Sequence, residues 1–253
     1  MQINGQAAIV TGGASGMGAE TARHLAKLGA KVTVLDMNEA AVKQVAEEIG
    51  GVGLLCDVSS AESAEKAVAE ARAAHGPARI AVNCAGVAPA KRIVGRDGPM
   101  ALDDFRKVIE VNLIGTFNML RLAAADMGTL DPLESGERGV IVNTASVAAY
   151  EGQIGQAAYA SSKGGIVALT ICAARDLARS GVRVMTIAPG LIGTPMLLNM
   201  PQEVQDSLAA TVPFPKRFGQ PSEYARLVQH ILENEMLNGE VIRLDGAIRM
   251  APQ

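Results

Sequence analysis

Three polar side chains interrupt the small, apolar stretch SVAAYEGQIGQAAYASSKGG: Ser146, Tyr159 and Lys163. If residues 157–180 are helical, Tyr159 and Lys163 stand at i and i+4 on one face. A free tyrosine has a pKa of about 10 and is a poor base at neutral pH. A nearby ammonium favours the phenolate, and lowering the pKa by about 3 units takes roughly 4 kcal/mol of differential stabilisation. Ser146, at the end of an apolar run, would hold a substrate oxygen near the phenol. A base, a group that tunes it and a group that orients the substrate can take a proton from an alcohol while hydride leaves. The alternative is a strand-end cap beside an ordinary helix pair, so the chemistry depends on what else shares the site.

A second cluster supplies a hydride acceptor. In TGGASGMG, residues 11–18, Gly12, Gly16 and Gly18 follow a short apolar run. The spacing G-x-x-x-G-x-G differs from the commoner G-x-G-x-x-G, but the physics is shared: the backbone turns sharply and approaches a pyrophosphate at a helix N-terminus. Asp36 ends the next apolar run, where a carboxylate accepts hydrogen bonds from the adenosine ribose. Its charge opposes a 2′-phosphate, and no Arg stands beside it, so the expected cofactor is NAD. Asp57 ends a third run, within reach of an adenine edge. NCAG, which holds Cys84, Ala85 and Gly86, ends a fourth.

The elements that must position these groups are short apolar runs alternating with longer helical segments. Candidate strands are 7–11, 31–36, 52–58, 79–85, 139–145, 182–188 and 240–245. Most are continuously apolar, as in a parallel sheet buried on both faces. The expectation is α/β: one Rossmann-type, doubly wound parallel sheet of about seven strands with helices on both faces, forming a single domain over 1–253. Ser59 with Glu62 predicts a capping box for a helix over 60–75. Asn38 precedes an acidic first turn, and Pro221 opens a helix over 221–235. Two segments break the rhythm. One is 86–101; the other is the proline-punctuated 189–221, read as a substrate-binding loop.

Composition excludes several classes. Of 253 residues, 3% are aromatic and the net charge is −3, without a basic block, which argues against nucleic acid. Three scattered cysteines and three distant histidines give neither a disulfide framework nor a metal site. No run approaches the roughly 20 apolar residues of a membrane span. The opening residues do not read as a targeting leader, so a cytoplasmic protein is expected.

Taken together, TGGASGMG, NCAG, Asn112, Ser146, Tyr159-x-x-x-Lys163 and Pro189–Gly190 resemble the short-chain dehydrogenase/reductase family over essentially the whole chain. The resemblance implies Tyr159 as general base, Lys163 binding the ribose and lowering the tyrosine pKa, and Ser146 orienting the substrate. Asn112 would position a water for proton relay. It further implies cofactor contacts at Ser15, Met17, Asp36, Asp57, Val58, Cys84, Tyr159, Lys163, Pro189, Ile192 and Thr194, with Cys84 contributing backbone. Within the family, RGVIVNTASVAAYEGQIGQAAYASSKGGIVALT, RVMTIAPGLIGTPML, VPFPKRFG and LNGEVIRLDGAIRM are similar to the type II 3-hydroxyacyl-CoA dehydrogenases. That similarity implies an NAD-dependent homotetramer acting on 3-hydroxyacyl-CoA, 2-methyl-branched thioesters included.

Substrate contacts are less sharply marked. Leu191, Ile192, Met196, Leu197, Leu198, Met200, Leu208, Val212 and Phe214 would form an apolar flap over an acyl chain or a steroid. Gln153 and Gln156, between Ser146 and Tyr159, are candidate thioester contacts. Lys91, Arg92 and Arg96 read either as CoA-phosphate contacts or as a solvated basic loop. Small residues on 157–174 suit a helix seam between subunits or packing on the chain's own sheet. The function expected is oxidation of (S)-3-hydroxyacyl-CoA to 3-oxoacyl-CoA. The alternatives are a hydroxysteroid or other secondary-alcohol dehydrogenase, a 3-oxoacyl carrier-protein reductase, or a binding scaffold.

Overall fold

The computed structural model describes residues 1–252, except the side chain of Met196. Seven strands form one parallel sheet: β1 Ala7–Thr11, β2 Lys31–Asp36, β3 Val52–Leu55, β4 Ile80–Asn83, β7 Gly139–Thr144, β8 Val182–Pro189 and β9 Val241–Leu244. A separate two-stranded hairpin, β5 Val94–Gly95 with β6 Gly98–Pro99, sits in the 86–101 segment. The main sheet runs β3-β2-β1-β4-β7-β8-β9. Chain order therefore reverses direction beside β1, where the crossovers leave a crevice at the carboxyl ends of β1 and β4. Register is parallel throughout, with Ala8 opposite both Val32 and Ile80.

Continuous apolar runs make sense because both faces are covered. Along β1, Ala8 and Val10 pack with Ala22, Leu25, Val228 and Ile231 on one side. Ala7 and Ile9 point to the other side, among Ala64, Val68 and Met119. The two-residue period thus feeds two cores at once. The first is closed by helices α1 Gly16–Lys27, α2 Glu39–Ile49 and α9 Pro221–Glu233. The second is closed by α3 Ala61–His75, by α4 Leu102–Ile109 running through a π-helical turn into α5 Gly115–Gly128, and by α6 Ala157–Asp176. The continuous helix Leu102–Gly128 and α6 are each long and apolar enough to cross a membrane by composition alone. Here their apolar residues pack on the sheet: Leu120, Ala123 and Met127 from one, Ala173 and Ala174 from the other, meet Ile141 and Val184.

Several boundaries move relative to expectation. β3 ends at Leu55 because Cys56-Asp57-Val58 leaves the ladder for a turn. Helix α3 is capped by Ser60, whose hydroxyl accepts from the Ser63 amide, and not by Ser59; the Ser59 amide and hydroxyl are both spent on Asp57 Oδ1, at 2.9 and 2.6 Å. Asn38 caps α2 through the Ala41 amide, and Pro221 opens α9. The 189–221 loop carries two short helices, α7 Pro195–Leu198 and α8 Gln202–Ala210.

A buried ion pair ties the start of β8 to the end of α9. Arg183 Nε donates to Glu137 Oε1 at 2.7 Å, while its other nitrogens donate to the carbonyls of Ile231, Leu232 and Leu237. Removing one member of such a pair costs about 3–5 kcal/mol where a charge is left without a partner; here the N-terminal ammonium of Met1, 3.4 Å from Glu137 Oε2, would remain, which places the cost at the lower end. Arg183→Ala should lose stability of that order in urea unfolding, and Arg183→Lys, which cannot reproduce the fork, should lose part of it. A loss below 1 kcal/mol for the alanine variant would show that the network does not hold α9 in place.

Candidate active site

The carboxyl ends of the strands open into one cavity of about 1180 Å³. The glycine turn forms one end. Gly12 and Gly16 have φ of +64° and +53°, values an L side chain seldom adopts. A Cβ on Gly12 would lie 2.7 Å from the Ala85 nitrogen, and one on Gly18 would collide with the Gly12 carbonyl oxygen. The glycines therefore let the β1 turn, the NCAG turn and the start of α1 pack on one another. Helix α1 has no acidic residue in its first turn and no side-chain cap on its amides, so its positive end faces the cavity unneutralised. Asp36 locks this geometry: Oδ2 accepts from the Ala14 amide at 3.1 Å and Oδ1 from the Asn38 amide at 3.0 Å.

The same cavity is lined by Ser15, Met17, Asp36, Asp57, Val58, Cys84, Ala85, Gly86, Pro189, Ile192 and Thr194. Thr194 reaches Gly16, where a Cβ would lie 3.2 Å from its methyl carbon. A dinucleotide fits this set: an amide-lined turn that tolerates no side chain, an unopposed helix N-terminus, and a carboxylate at the end of β2. The Cys84 amide is spent on Thr11, and burial raises its thiol pKa, which disfavours the thiolate.

Ser146, Tyr159 and Lys163 line the middle of the cavity. The Lys163 Nζ is buried and donates to the Thr144 carbonyl at 2.8 Å, passing 5.7 Å from the centroid of the Tyr159 ring. Burial pulls the Lys163 pKa down to about 8. Tyr159 does not follow the expected lowering by Lys163. Burial is the largest influence and raises its pKa, while Ser146 is the group that draws it down. The reason is the direction of the ammonium, which is spent on a strand-end carbonyl.

Asn112 lies outside the cavity lining but directly beneath it, in the π-helical turn Glu110–Ile114, a distortion that often marks functional sites. Its Oδ1 accepts from the Val87 amide at 2.8 Å, and its Nδ2 donates to the Val87 carbonyl and to Ser162 Oγ. Ser162 Oγ in turn donates to the Tyr159 carbonyl at 2.7 Å. Asn112 thus ties the NCAG turn to the helix that carries the Tyr–Lys pair. A Cβ on Gly86 would stand 3.2 Å from Asn112 Oδ1 and 3.6 Å from Lys163 Nζ.

Beyond Tyr159 the expected substrate contacts divide. Gln156 and Leu191 line the cavity. Gln153 does not: its Nε2 donates to the Ala251 carbonyl at 2.9 Å, so it belongs to the packing of the C-terminal tail. Of the flap, Ile192, Thr194, Pro195 and Leu197 reach the cavity, whereas Leu198 and Phe214 are exposed and Val212 is buried elsewhere. Lys91, Arg92 and Arg96 stay on an exposed loop, with Lys91 paired to Asp104 at 2.6 Å. Besides Lys163, the basic groups that line the cavity are Arg106 and Lys107 of α4, which an amphipathic helix gave no reason to single out. Behind the site, Thr144 Oγ1 donates to the Asn83 carbonyl at 2.6 Å and meets the buried Tyr224 hydroxyl at 2.7 Å. Among the described residues no group of three or more metal-ligating side chains occurs.

A doubly wound parallel sheet with a glycine turn, a β2 carboxylate and a Ser–Tyr–Lys cluster defines a nicotinamide-dependent dehydrogenase. The sequence profile of the short chain dehydrogenases matches residues 6–205, and the chain belongs to that family. It is 52% identical to human 3-hydroxyacyl-CoA dehydrogenase type-2, covering 99% of this chain and 97% of that protein. It is 50% identical to the Drosophila melanogaster protein of the same name, over 99% and 100%. The crystal structure of 3-hydroxyacyl-CoA dehydrogenase type-2 from Mycobacterium avium superposes with a TM-score of 0.92 at 44% identity, covering 98% of both chains.

The depressed Lys163 pKa has a consequence for stability. A lysine with a folded pKa near 8, against 10.5 for the free group, binds fewer protons folded than unfolded. Its contribution to stability therefore rises with pH between about 8 and 10.5. Lys163→Met should lower turnover by at least about 100-fold yet keep an equal or higher Tm at pH 7, with any advantage shrinking above pH 8. A clearly lower Tm at pH 7 would mean that the buried ammonium stabilises the fold.

Proposed function

We propose that this chain oxidises (S)-3-hydroxyacyl-CoA thioesters to 3-oxoacyl-CoA, using NAD. The observation that carries the reading is the single cavity. Ser146, Tyr159 and Lys163 stand between a dinucleotide cradle ending at Asp36 and an apolar wall that includes Leu191 and Leu197. The names of the similar proteins favour an acyl-CoA over a steroid or a carrier-protein substrate.

Gly12, Ser15, Gly16, Met17 and Gly18 would hold the pyrophosphate, Asp36 the adenosine ribose, Asp57 and Val58 the adenine. Lys163 and Tyr159 would meet the nicotinamide ribose, with Pro189, Ile192 and Thr194 covering the nicotinamide. The bound nicotinamide supplies the hydride acceptor. Tyr159 Oη removes the hydroxyl proton of the substrate, and Ser146 Oγ holds that oxygen in place. Lys163, fixed on Thr144, places its charge beneath the phenol, and Asn112 holds the adjoining turn. Gln156 and Leu191 meet the acyl portion. Arg106 and Lys107 are better placed than Lys91, Arg92 or Arg96 for the phosphates of CoA.

A homotetramer is part of the same reading. It is supported by an open apolar groove of about 410 Å³ between Leu113, Phe117, Gly165 and Leu169, flanked by exposed Ile114 and Ile171. Three free thiols suit the reducing cytoplasm.

The test is NADH consumption with acetoacetyl-CoA, run beside NADPH and beside a steroid ketone. Turnover with NADH and the thioester, at least about tenfold above NADPH, is expected. Asp36→Arg should erase or reverse that preference, because it replaces the group that repels a 2′-phosphate. Activity on the ketone alone would reassign the substrate, and an unchanged preference in the variant would remove Asp36 from the ribose.

A further inference from the structure

The C-terminal tail forms part of the cavity wall. Met250 lines it, and the residues around Met250 are fastened to the segment joining Ser146 to Tyr159. The Met250 amide donates to Glu151 Oε2 at 3.0 Å. The Ala251 carbonyl accepts from Gln153 Nε2 and the Pro252 carbonyl from the Ile154 amide, each at 2.9 Å. Glu151 is itself held by Arg243, whose Nη1 and Nη2 donate to its two oxygens at 2.7 and 3.1 Å. Arg243 also donates to Asp245 Oδ2 at 2.7 Å and to the Ile248 carbonyl at 2.9 Å. One guanidinium therefore organises both the anchor point and the turn that launches the tail.

The tail also closes against the start of the flap. Ile248 is buried, and a Cβ on Gly190 would lie 3.3 Å from it and 2.8 Å from the Asp245 Cβ. The tail is thus held on the 146–156 segment through Met250 and Ala251 and on Gly190 through Ile248, beside β8 and β9 and so across the sheet from the glycine turn that follows β1. That is the substrate end of the cavity. A thioether side chain on a strap fixed at both flanks makes a wall of defined depth with some freedom of shape.

We propose that residues 248–252 are a specificity strap: Met250 sets the length of acyl chain the site accepts, and the Arg243–Glu151 pair positions it. This inference rests on the acyl-CoA reading. A hydrophobic wall discriminates between neighbouring chain lengths by about 10- to 200-fold per methylene, so truncating it should be visible in relative kcat/KM.

The experiment measures kcat/KM for acetoacetyl-CoA and 3-oxodecanoyl-CoA with NADH in wild type, Met250→Ala, Met250→Phe and Glu151→Gln. Met250→Ala should raise the ratio of long to short substrate about tenfold, and Met250→Phe should lower it. Glu151→Gln, which weakens the anchor without changing the wall, should shift the ratio in the direction of Met250→Ala, through KM for the thioester. A ratio within twofold of wild type in both Met250 variants overturns the strap while leaving the acyl-CoA reading intact. A ratio unmoved in Glu151→Gln alone overturns the positioning role of the pair. A wild-type protein that turns over neither thioester overturns the strap together with the reading beneath it.

Discussion

The bond from Lys163 Nζ to the Thr144 carbonyl is the constraint around which the site is built. It buries an ammonium at the carboxyl end of the interior strand β7, where an unpaired charge would be very costly. The surroundings answer that cost with a dense polar layer. With the Thr144 hydroxyl proton given to the Asn83 carbonyl, the Tyr224 hydroxyl donates to Thr144 Oγ1, and the Cys84 thiol donates to Tyr224. Helix α9, on one face of the sheet, thereby steadies the carbonyl that receives a lysine from α6 on the other. The cluster that handles the proton is held from both layers of the fold.

The dinucleotide end depends on a different constraint, that of close backbone approach. Gly12 and Gly18 sit where the β1–α1 turn meets the turn after β4, and a Cβ on either would come within 3.0 Å of backbone atoms; Gly86 beside them leaves 3.2 Å to Asn112 Oδ1. The Asn112–Val87 and Asn112–Ser162 bonds carry this packing across to α6. Positioning of the cofactor and positioning of the base are therefore mechanically joined. The π-helical turn at Glu110–Ile114 is where the long helix accommodates that junction.

Much of this was legible in the sequence because its signals are local. Continuous apolar runs located all seven strands, six of them within two residues at each end, since burial on both faces leaves no room for alternation. β3 was the exception: its run continued through Cys56-Asp57-Val58, where Ser59 donates to the Asp57 carboxylate and the Asp57 amide donates to Ser63 Oγ, turning the chain out of the ladder. The glycine turn, Asp36 and the Tyr–Lys spacing were readable for the same reason. The unreadable features join residues far apart. Met250 lines the cavity on a tail anchored where Arg243 and Glu151 meet across 92 positions. Gln153, near the catalytic pair in sequence, is turned to the tail, and Arg106 and Lys107 enter the cavity through the pitch of α4. Even the raised pKa of Tyr159 follows from its burial, which helical spacing alone does not state.

The central claim is that Lys163, fixed on Thr144, serves cofactor and base together. The most direct measurement compares wild type with Lys163→Ala in two respects: the pH dependence of kcat/KM for 3-hydroxybutyryl-CoA oxidation, and the Kd for NAD at one pH. The account predicts that kcat/KM falls across the profile and that NAD binding weakens in the same variant, while the acidic limb stays where burial and Ser146 set it. A variant that kept the wild-type kcat/KM and the wild-type Kd, or whose acidic limb rose by about one unit, would contradict it.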